Sequence, residues 1–200
     1  MKRVWVILIF VMLFSVLVSA QKSKRKKPIA VVTVTAPKLP KVVLPKETDG
    51  GLWNEFASIN DGFSVVFPAK AKDIFEDSLD DGNFYQATTS TANYSVSVKK
   101  FKNFYPIGNE LEAIYDNVIL EAQPDKIIKS VNIFQNELQG REAVFESKKK
   151  RFFVRFFGFE NNFILAAVTI DAIKYTNDFD VWVAKFFDSL IVKAKIKEKV

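Results

Sequence analysis

Three short stretches of the chain hold the residue types from which chemistry is usually built. Ser147 followed by Lys148 supplies a hydroxyl and an amine. Asp77, Asp80, Asp81, Gly82 and Asn83 concentrate oxygen ligands around one glycine. Lys148, Lys149, Lys150, Arg151 and Arg155 run beside Phe153 and Phe157, a charged track with rings that bases could stack on. Each has a plainer reading. A serine and lysine adjacent on a strand point their side chains to opposite faces, so Lys148 cannot take the Ser147 proton in the way a hydrolase requires. Asp77, Asp80 and Asp81 could offer a carboxylate pair for glycoside chemistry or a weak calcium loop. Their spacing departs from the Asp-x-Asp-x-Asp-Gly pattern with a distal Glu, and a hydrophilic hairpin tip accounts for them. The basic track reads equally as a charged hairpin tip running into a buried strand.

Two absences narrow the field further. The chain has neither histidine nor cysteine. It therefore lacks the usual general base near neutral pH, the commonest transition-metal ligands, a thiol nucleophile, any disulfide and any acylated cysteine after a leader. The seven glycines are scattered, and Gly50 and Gly51 open no strand-to-helix turn, so no phosphate-cradling loop is present. We expect no catalytic residue, metal or cofactor.

Charge locates the remaining candidates. The net charge over 200 residues is +6, from 29 basic and 23 acidic side chains. Residues 1–50 hold ten Lys or Arg against Glu47 and Asp49, a net of +8, which leaves 19 bases and 21 acids beyond them, a net of −2. The basic character thus belongs to the leading segment, and nucleic acid is not the expected partner.

That segment has two parts. Lys2 and Arg3 precede an apolar run from Val4 to Val18, shorter than the ~20 residues of a spanning helix. Val18, Ser19 and Ala20 suit signal peptidase, so residues 1–20 read as a cleaved signal peptide and the product as periplasmic or secreted. The alternative is a retained N-terminal anchor, favoured by the charge that follows at once. Residues 21–51 carry Lys22, Lys24, Arg25, Lys26 and Lys27, then Pro28, Pro37, Pro40 and Pro45, and read as a semi-rigid linker. Its basic cluster is a candidate tether to an anionic surface, at about 1 kcal/mol per Lys or Arg. Ile29 to Thr35 could add as an edge strand.

The elements that must position any site lie in 52–192, with 193–200 a basic tail. Trp53 to Pro68 reads as a first hairpin, turning at Asn60, Asp61 and Gly62, with Phe63, Val65 and Phe67 on one side. Asp73–Asp77 and Asn83–Ser90 form a second hairpin, and Tyr94–Phe101 a half-buried strand. Asn109 caps a helix from Glu110 to about Ala122, whose Leu111, Ile114, Tyr115, Val118, Ile119 and Ala122 share one face. Ile127–Phe134 and Arg141–Glu146 follow as strands. In the next strand Phe152, Val154 and Phe156 face one way, and Arg151, Phe153, Arg155, Phe157 and Phe159 the other. Phe163–Ile170 is nearly continuous apolar strand. Thr176, Asn177 and Asp178 open a last helix with Phe179, Trp182, Val183, Phe186, Phe187 and Leu190 in one stripe, and Ser189–Val192 continues as a short strand. Helices packed on an antiparallel β-sheet of six to eight strands make an α+β domain in three layers.

Several of these residues resemble a known family. Trp53, Phe56, Ser58, Asp61-Gly62-Phe63-Ser64-Val65-Val66-Phe67-Pro68, Tyr94 with Val96, Gly140-Arg141-Glu142, the aromatic strand with its Asn turn, and Phe186-Phe187-Asp188-Ser189-Leu190 look like the bacterial exported domains related to PsbP of the photosystem II oxygen-evolving complex. The resemblance spans Leu52 to Val192 and implies a PsbP-like α/β/α sandwich. Plant PsbP proteins assist retention of metal and chloride; no residue here matches a metal-linked position, so that role does not carry over. The wider group that the resemblance points to consists largely of non-enzymatic accessory or uncharacterised proteins.

The expected function is accordingly an exported, non-enzymatic module that binds another envelope protein. Its expected binding surface is Arg151, Phe153, Arg155, Phe157 and Phe159, provided the facing helix leaves them open. The alternative is a carrier of a small apolar ligand or lipid in a sheet-helix pocket, which requires a cavity of ~300 Å³ or more.

Overall fold

The computed structural model describes residues 53–69, 73–79, 81–101, 108–159 and 161–192. The signal segment, the linker with its possible strand Ile29–Thr35, and the tail 193–200 lie outside them.

Among the described residues ten strands form two antiparallel sheets rather than the single sheet expected. The larger contains β3 (Phe75–Leu79), β4 (Gly82–Thr88), β5 (Ala92–Lys100), β6 (Lys126–Gln135), β7 (Leu138–Ser147), β8 (Lys150–Phe159) and β9 (Asn162–Asp171), in the order β3-β4-β5-β9-β8-β7-β6. The smaller contains β1 (Asn54–Ser58), β2 (Phe63–Phe67) and β10 (Ile191–Val192), with β2 in the middle. The opening hairpin therefore leaves the main sheet. It finds its third strand at the far end of the domain, where Ile191 pairs with Ser64 and Val192 with Phe63.

Among the described residues two helices complete three layers. Helix α1 (Gly108–Glu121) lies on one face of the large sheet. Its Leu111, Ile114, Tyr115, Val118 and Ile119 bury against Ala143, Phe145, Val154, Phe156, Phe163, Leu165 and Ala167. Helix α2 (Asp180–Asp188) and the small sheet together form the layer on the other face. There Phe63, Val65, Phe67, Val183, Phe186, Phe187 and Leu190 meet Val96, Val98, Phe153, Phe157, Ile164 and Val168. Burial of each large side chain contributes roughly 1.5–3 kcal/mol, and the centre of the large sheet is covered twice.

Three local expectations change for physical reasons. Helix α1 starts at Gly108, so Asn109 lies within it and is not its cap. At the second helix, Phe179 N donates to Thr176 O at 2.9 Å, closing a 3₁₀ turn over Asn177–Phe179; Thr176 makes no side-chain cap bond, and the α-helix begins at Asp180. The strand expected to be half-buried, β5, is buried on both faces, because Ser95, Ser97 and Lys99 lie beneath α1 opposite Ala167, Leu165 and Phe163. Lys99 tolerates this by running its stem along the apolar surface to reach Asp81 Oδ2 at 2.8 Å.

Turns set the register. Asn136 and Glu137 have φ of 50° and 65°, and Lys148 and Lys149 of 50° and 64°, giving two-residue left-handed turns between β6 and β7 and between β7 and β8. Gly140, just before the strand expected from Arg141, lies inside β7. A Cβ there would stand 2.3 Å from Phe156 O and 2.6 Å from the Phe157 ring, so the glycine lets that ring lie flat on the strand.

Candidate functional site

The most concentrated polar chemistry gathers around Asp61, in the turn between β1 and β2. The turn bends because Gly62 has φ 71° and donates its N–H to Ser58 O at 2.9 Å. That places the Asp61 carboxylate under the ends of β4 and β5, where it is 2% exposed. It accepts from Tyr85 Oη at 2.5 Å, Ser58 Oγ at 3.1 Å and Asn83 Nδ2 at 3.0 and 2.9 Å, and Lys100 Nζ lies 2.8 Å away. Ser58 Oγ and Tyr85 Oη are themselves 3.0 Å apart.

Burial by itself would push the Asp61 carboxyl up, but hydrogen bonds from Lys100, Tyr85 and Asn83 outweigh it and hold the group below its ordinary range. The phenol responds in the opposite sense. Burial, reinforced by the bond to Asp61, pushes Tyr85 up to about 12. Near neutral pH the cluster thus holds a fixed anion and a fixed phenol whose lone pairs and protons are committed to each other. Its chemistry is that of a pin between two sheets.

A second cluster lies toward the other edge of the large sheet. Arg155 Nε donates to Glu142 Oε2 at 2.7 Å, and its Nη1 to Gln135 Oε1 at 2.8 Å and Asp188 Oδ1 at 3.0 Å. The guanidinium stands 5.0 Å over the Phe187 ring. Gln135 Nε2 donates to Phe187 O at 2.9 Å and Leu190 O at 3.0 Å, so β6 caps the exit of α2. Burial raises the Glu142 carboxyl, but Lys129 and Arg155 prevail and leave it lowered.

The expected aromatic binding surface is not there. Phe153, Phe157 and Phe159 are 6%, 1% and 6% exposed, because α2 and the small sheet cover the face on which alternation places them. Arg155 belongs to the cluster just described. Arg151 bonds Glu146 Oε1 through Nε at 2.9 Å and stacks 3.9 Å over Tyr175. The tether residues Lys22, Lys24, Arg25, Lys26 and Lys27 lie outside the described residues.

The other candidates are likewise accounted for. Ser147 Oγ donates toward two carbonyls just past α1, 3.0 Å from Ala122 O and 3.1 Å from Gln123 O. Asp81 pairs with Lys99 and Asp77 is exposed on β3, while Asp80 is outside the described residues. Among the described residues no three His, Cys, Asp or Glu gather where they could hold a metal ion. A slot between the last turn of α1 and the sheet, walled by Val118, Phe145, Phe152, Phe156 and Leu165 with Lys148 and Lys150 at its rim, has a cavity volume of about 50 Å³. The carrier alternative called for ~300 Å³ or more, so this slot is far too small for it.

Sequence reasoning read Asp61 as a turn residue only. Its partners Asn83 and Tyr85 stand 22 and 24 positions away, and no local pattern pairs them. It also missed the stack of Trp53 on Trp182, with ring centroids 5.7 Å apart, which ties the start of the domain to α2. Lys185 Nζ lies 4.3 Å from the Trp53 ring.

No protein-family profile matches the chain, and no curated protein matches it in sequence. Solved structures do. The solution structure of cyanobacterial PsbP from Synechocystis sp. PCC 6803 superposes with a TM-score of 0.52 at 9% identity, over 74% of this chain and 98% of that one. A protein of unknown function from Pseudomonas aeruginosa aligns with a TM-score of 0.43 at 12% identity, over 72% of this chain and 99% of its own. A crystal structure from Bacteroides thetaiotaomicron gives 0.42 at 12% identity, over 74% of this chain and 50% of that one. The fold is PsbP-like, an α+β arrangement of antiparallel sheets with two helices packed on them.

Proposed function

We propose that the chain is an exported, non-enzymatic accessory module of the cell envelope that binds another envelope protein and is held on a basic, proline-bearing tether. The observation that supports this most directly is the fate of its ionisable groups. Asp61, Glu142 and Asp171 are lowered, Tyr85 is raised to about 12 and burial raises Tyr115 as well. A general acid or base works best near the operating pH, and these groups are moved away from neutrality by the contacts that join one element to another; Glu121, whose carboxyl burial raises, is the exception. Export rests on the leading segment, where Lys2 and Arg3 precede the apolar run Val4–Val18 and a small-residue site at Ser19 and Ala20. Among the described residues no helix is long and apolar enough to cross a membrane.

Photo-crosslinking from exposed positions in intact envelopes tests the reading. One reproducible protein adduct, absent when the domain is unfolded by substitution, is the expected result. Labelling indistinguishable from that of the unfolded variant would refute the binding role. The mass of the exported product separates a cleaved leader from a retained anchor.

A further inference from the structure

The antiparallel order of the large sheet sends its turns to two ends, and the two ends differ. One holds Asp81, the Asn136–Glu137 turn and, pinned to Asn83 and Lys100, the β1–β2 turn with Asp61 and Ile59. The other holds the Lys148–Lys149 turn, Lys126 at the start of β6 and the 3₁₀ turn Ala172–Lys174 after β9. Hydrogen bonds join these last three into one row. Lys148 N donates to Asp125 Oδ2 at 2.9 Å, Asp125 N to Glu146 O at 2.7 Å, and Ala172 N to Lys149 O at 2.9 Å. Lys150 pairs with Asp171, whose other oxygen lies 3.4 Å from Lys174 Nζ.

This row is basic on a domain that is otherwise slightly acidic. Lys126, Lys148, Lys149, Lys150, Arg151 and Lys174 face Glu121, Asp125, Glu146 and Asp171, a net of +2, whereas residues 51–200 together carry −2. Lys126, Lys148 and Lys149 are exposed and form no ion pair among the described residues. Two of them occupy left-handed positions that glycine or asparagine normally fills, which points both lysines off the tip at a conformational cost. Aliphatic side chains stand among the charges: Ile173 is 91% exposed, Ile127 50% and Ile128 43%.

We propose that this end of the domain docks on an anionic lipid bilayer, with Ile173 entering the interfacial layer and Lys126, Lys148, Lys149 and Lys174 meeting the headgroups. Exposed isoleucines ringed by lysines match an interface in which an apolar boundary lies just beneath negative charge. Nucleic acid would call for exposed rings to stack on, and four of the five rings of β8 are core, with Phe152 half-buried. The inference goes beyond the protein-binding reading and can fail without it. It also orients the domain, because docking at this end turns the Asp61 end away from the membrane.

The absence of cysteine makes the test direct. An environment-sensitive fluorophore is attached to the full chain at Ile173→Cys or, as a control, at Ile59→Cys, which is 89% exposed at the opposite end. Each protein meets phosphatidylcholine vesicles with and without phosphatidylglycerol. The expected result is a blue shift at position 173 with the anionic vesicles only, and none at position 59. Lys148→Asn with Lys149→Gly suits the same turn, removes both charges and should weaken the response about tenfold or more. No shift at 173, equal shifts at both positions, an equal shift on phosphatidylcholine alone, or a response untouched by the turn variant would each overturn the proposal. The basic arm is identical in every protein compared, so it cannot create the difference between the two probes.

Discussion

Two polar clusters fasten the outer layer to the large sheet, and they do so in different ways. At Asp61 a single carboxylate with no solvent-exposed side-chain surface collects four donors, three of them from the large sheet. At Arg155 the charge is shared over Glu142, Gln135 and Asp188, with the guanidinium side chain 16% exposed and Asp188 55% exposed. Removing the centre of the first takes the shared acceptor from Tyr85, Asn83 and Lys100 and leaves Tyr85 and Ser58 only each other, whereas water can replace much of the second. An enclosed acceptor should therefore act as an all-or-none fastening and a half-open network as a graded one.

Asp61→Ala is the sharpest way to break that contrast. It should cost about 3 kcal/mol, read from the urea midpoint at unchanged slope, because Tyr85, Asn83 and Lys100 lose a common partner. A loss under about 1 kcal/mol would mean that water enters the pocket and that the two clusters are alike. Adding Tyr85→Phe to Asp61→Ala should then cost little more, since the phenol has already lost its charged acceptor and keeps only Ser58 Oγ.

Arg155→Ala should cost about 2 kcal/mol, less than Asp61→Ala, since Glu142 keeps Lys129 at 2.6 Å. Gln135→Ala removes the donors to Phe187 O and Leu190 O, and should cost about 1 kcal/mol and speed hydrogen exchange first in β10.

Acid sharpens the comparison further. Folding lowers the Asp61 carboxyl below its ordinary value of 3.8, so its contribution is complete above that pH and fades as pH falls through the lower folded value. Asp61→Asn should therefore flatten the acid limb of the stability curve measured by urea titration, and an unchanged limb would remove Asp61 as its source. The smallest effect belongs to Lys100→Gln. Its side chain is 44% exposed, so the loss should be under about 1 kcal/mol and should shrink further in high salt.

The two clusters also differed in how far they could be read in advance. Arg155 was placed with Phe153 and Phe157 by alternation alone, and that placement holds, since Arg155 stands over Phe187 on the face those rings share. What alternation left open was whether that face is covered. The answer came from α2, whose stripe of Val183, Phe186 and Phe187 was legible in sequence but whose target was not. Asp61 was legible only as a turn former, because its partners are brought to it by the crossing of a separate hairpin over β4 and β5.

By itself the sequence determined the kinds of elements, their order and which side of each is apolar. Those follow from periods of two and of 3.6 residues along a single segment, and among the described residues the strands and the two helices stand in the expected order, with the second helix starting at Asp180. The tertiary structure decided everything that depends on meeting a distant segment. It moved the first hairpin into its own sheet with Ile191 and Val192, buried Ser95, Ser97 and Lys99 beneath α1, and closed Asp61 inside a ring of donors. The reason is the reach of the interactions: hydrophobic periodicity is written within one turn or pleat, while strand pairing and buried hydrogen bonds join residues that only the topology makes neighbours.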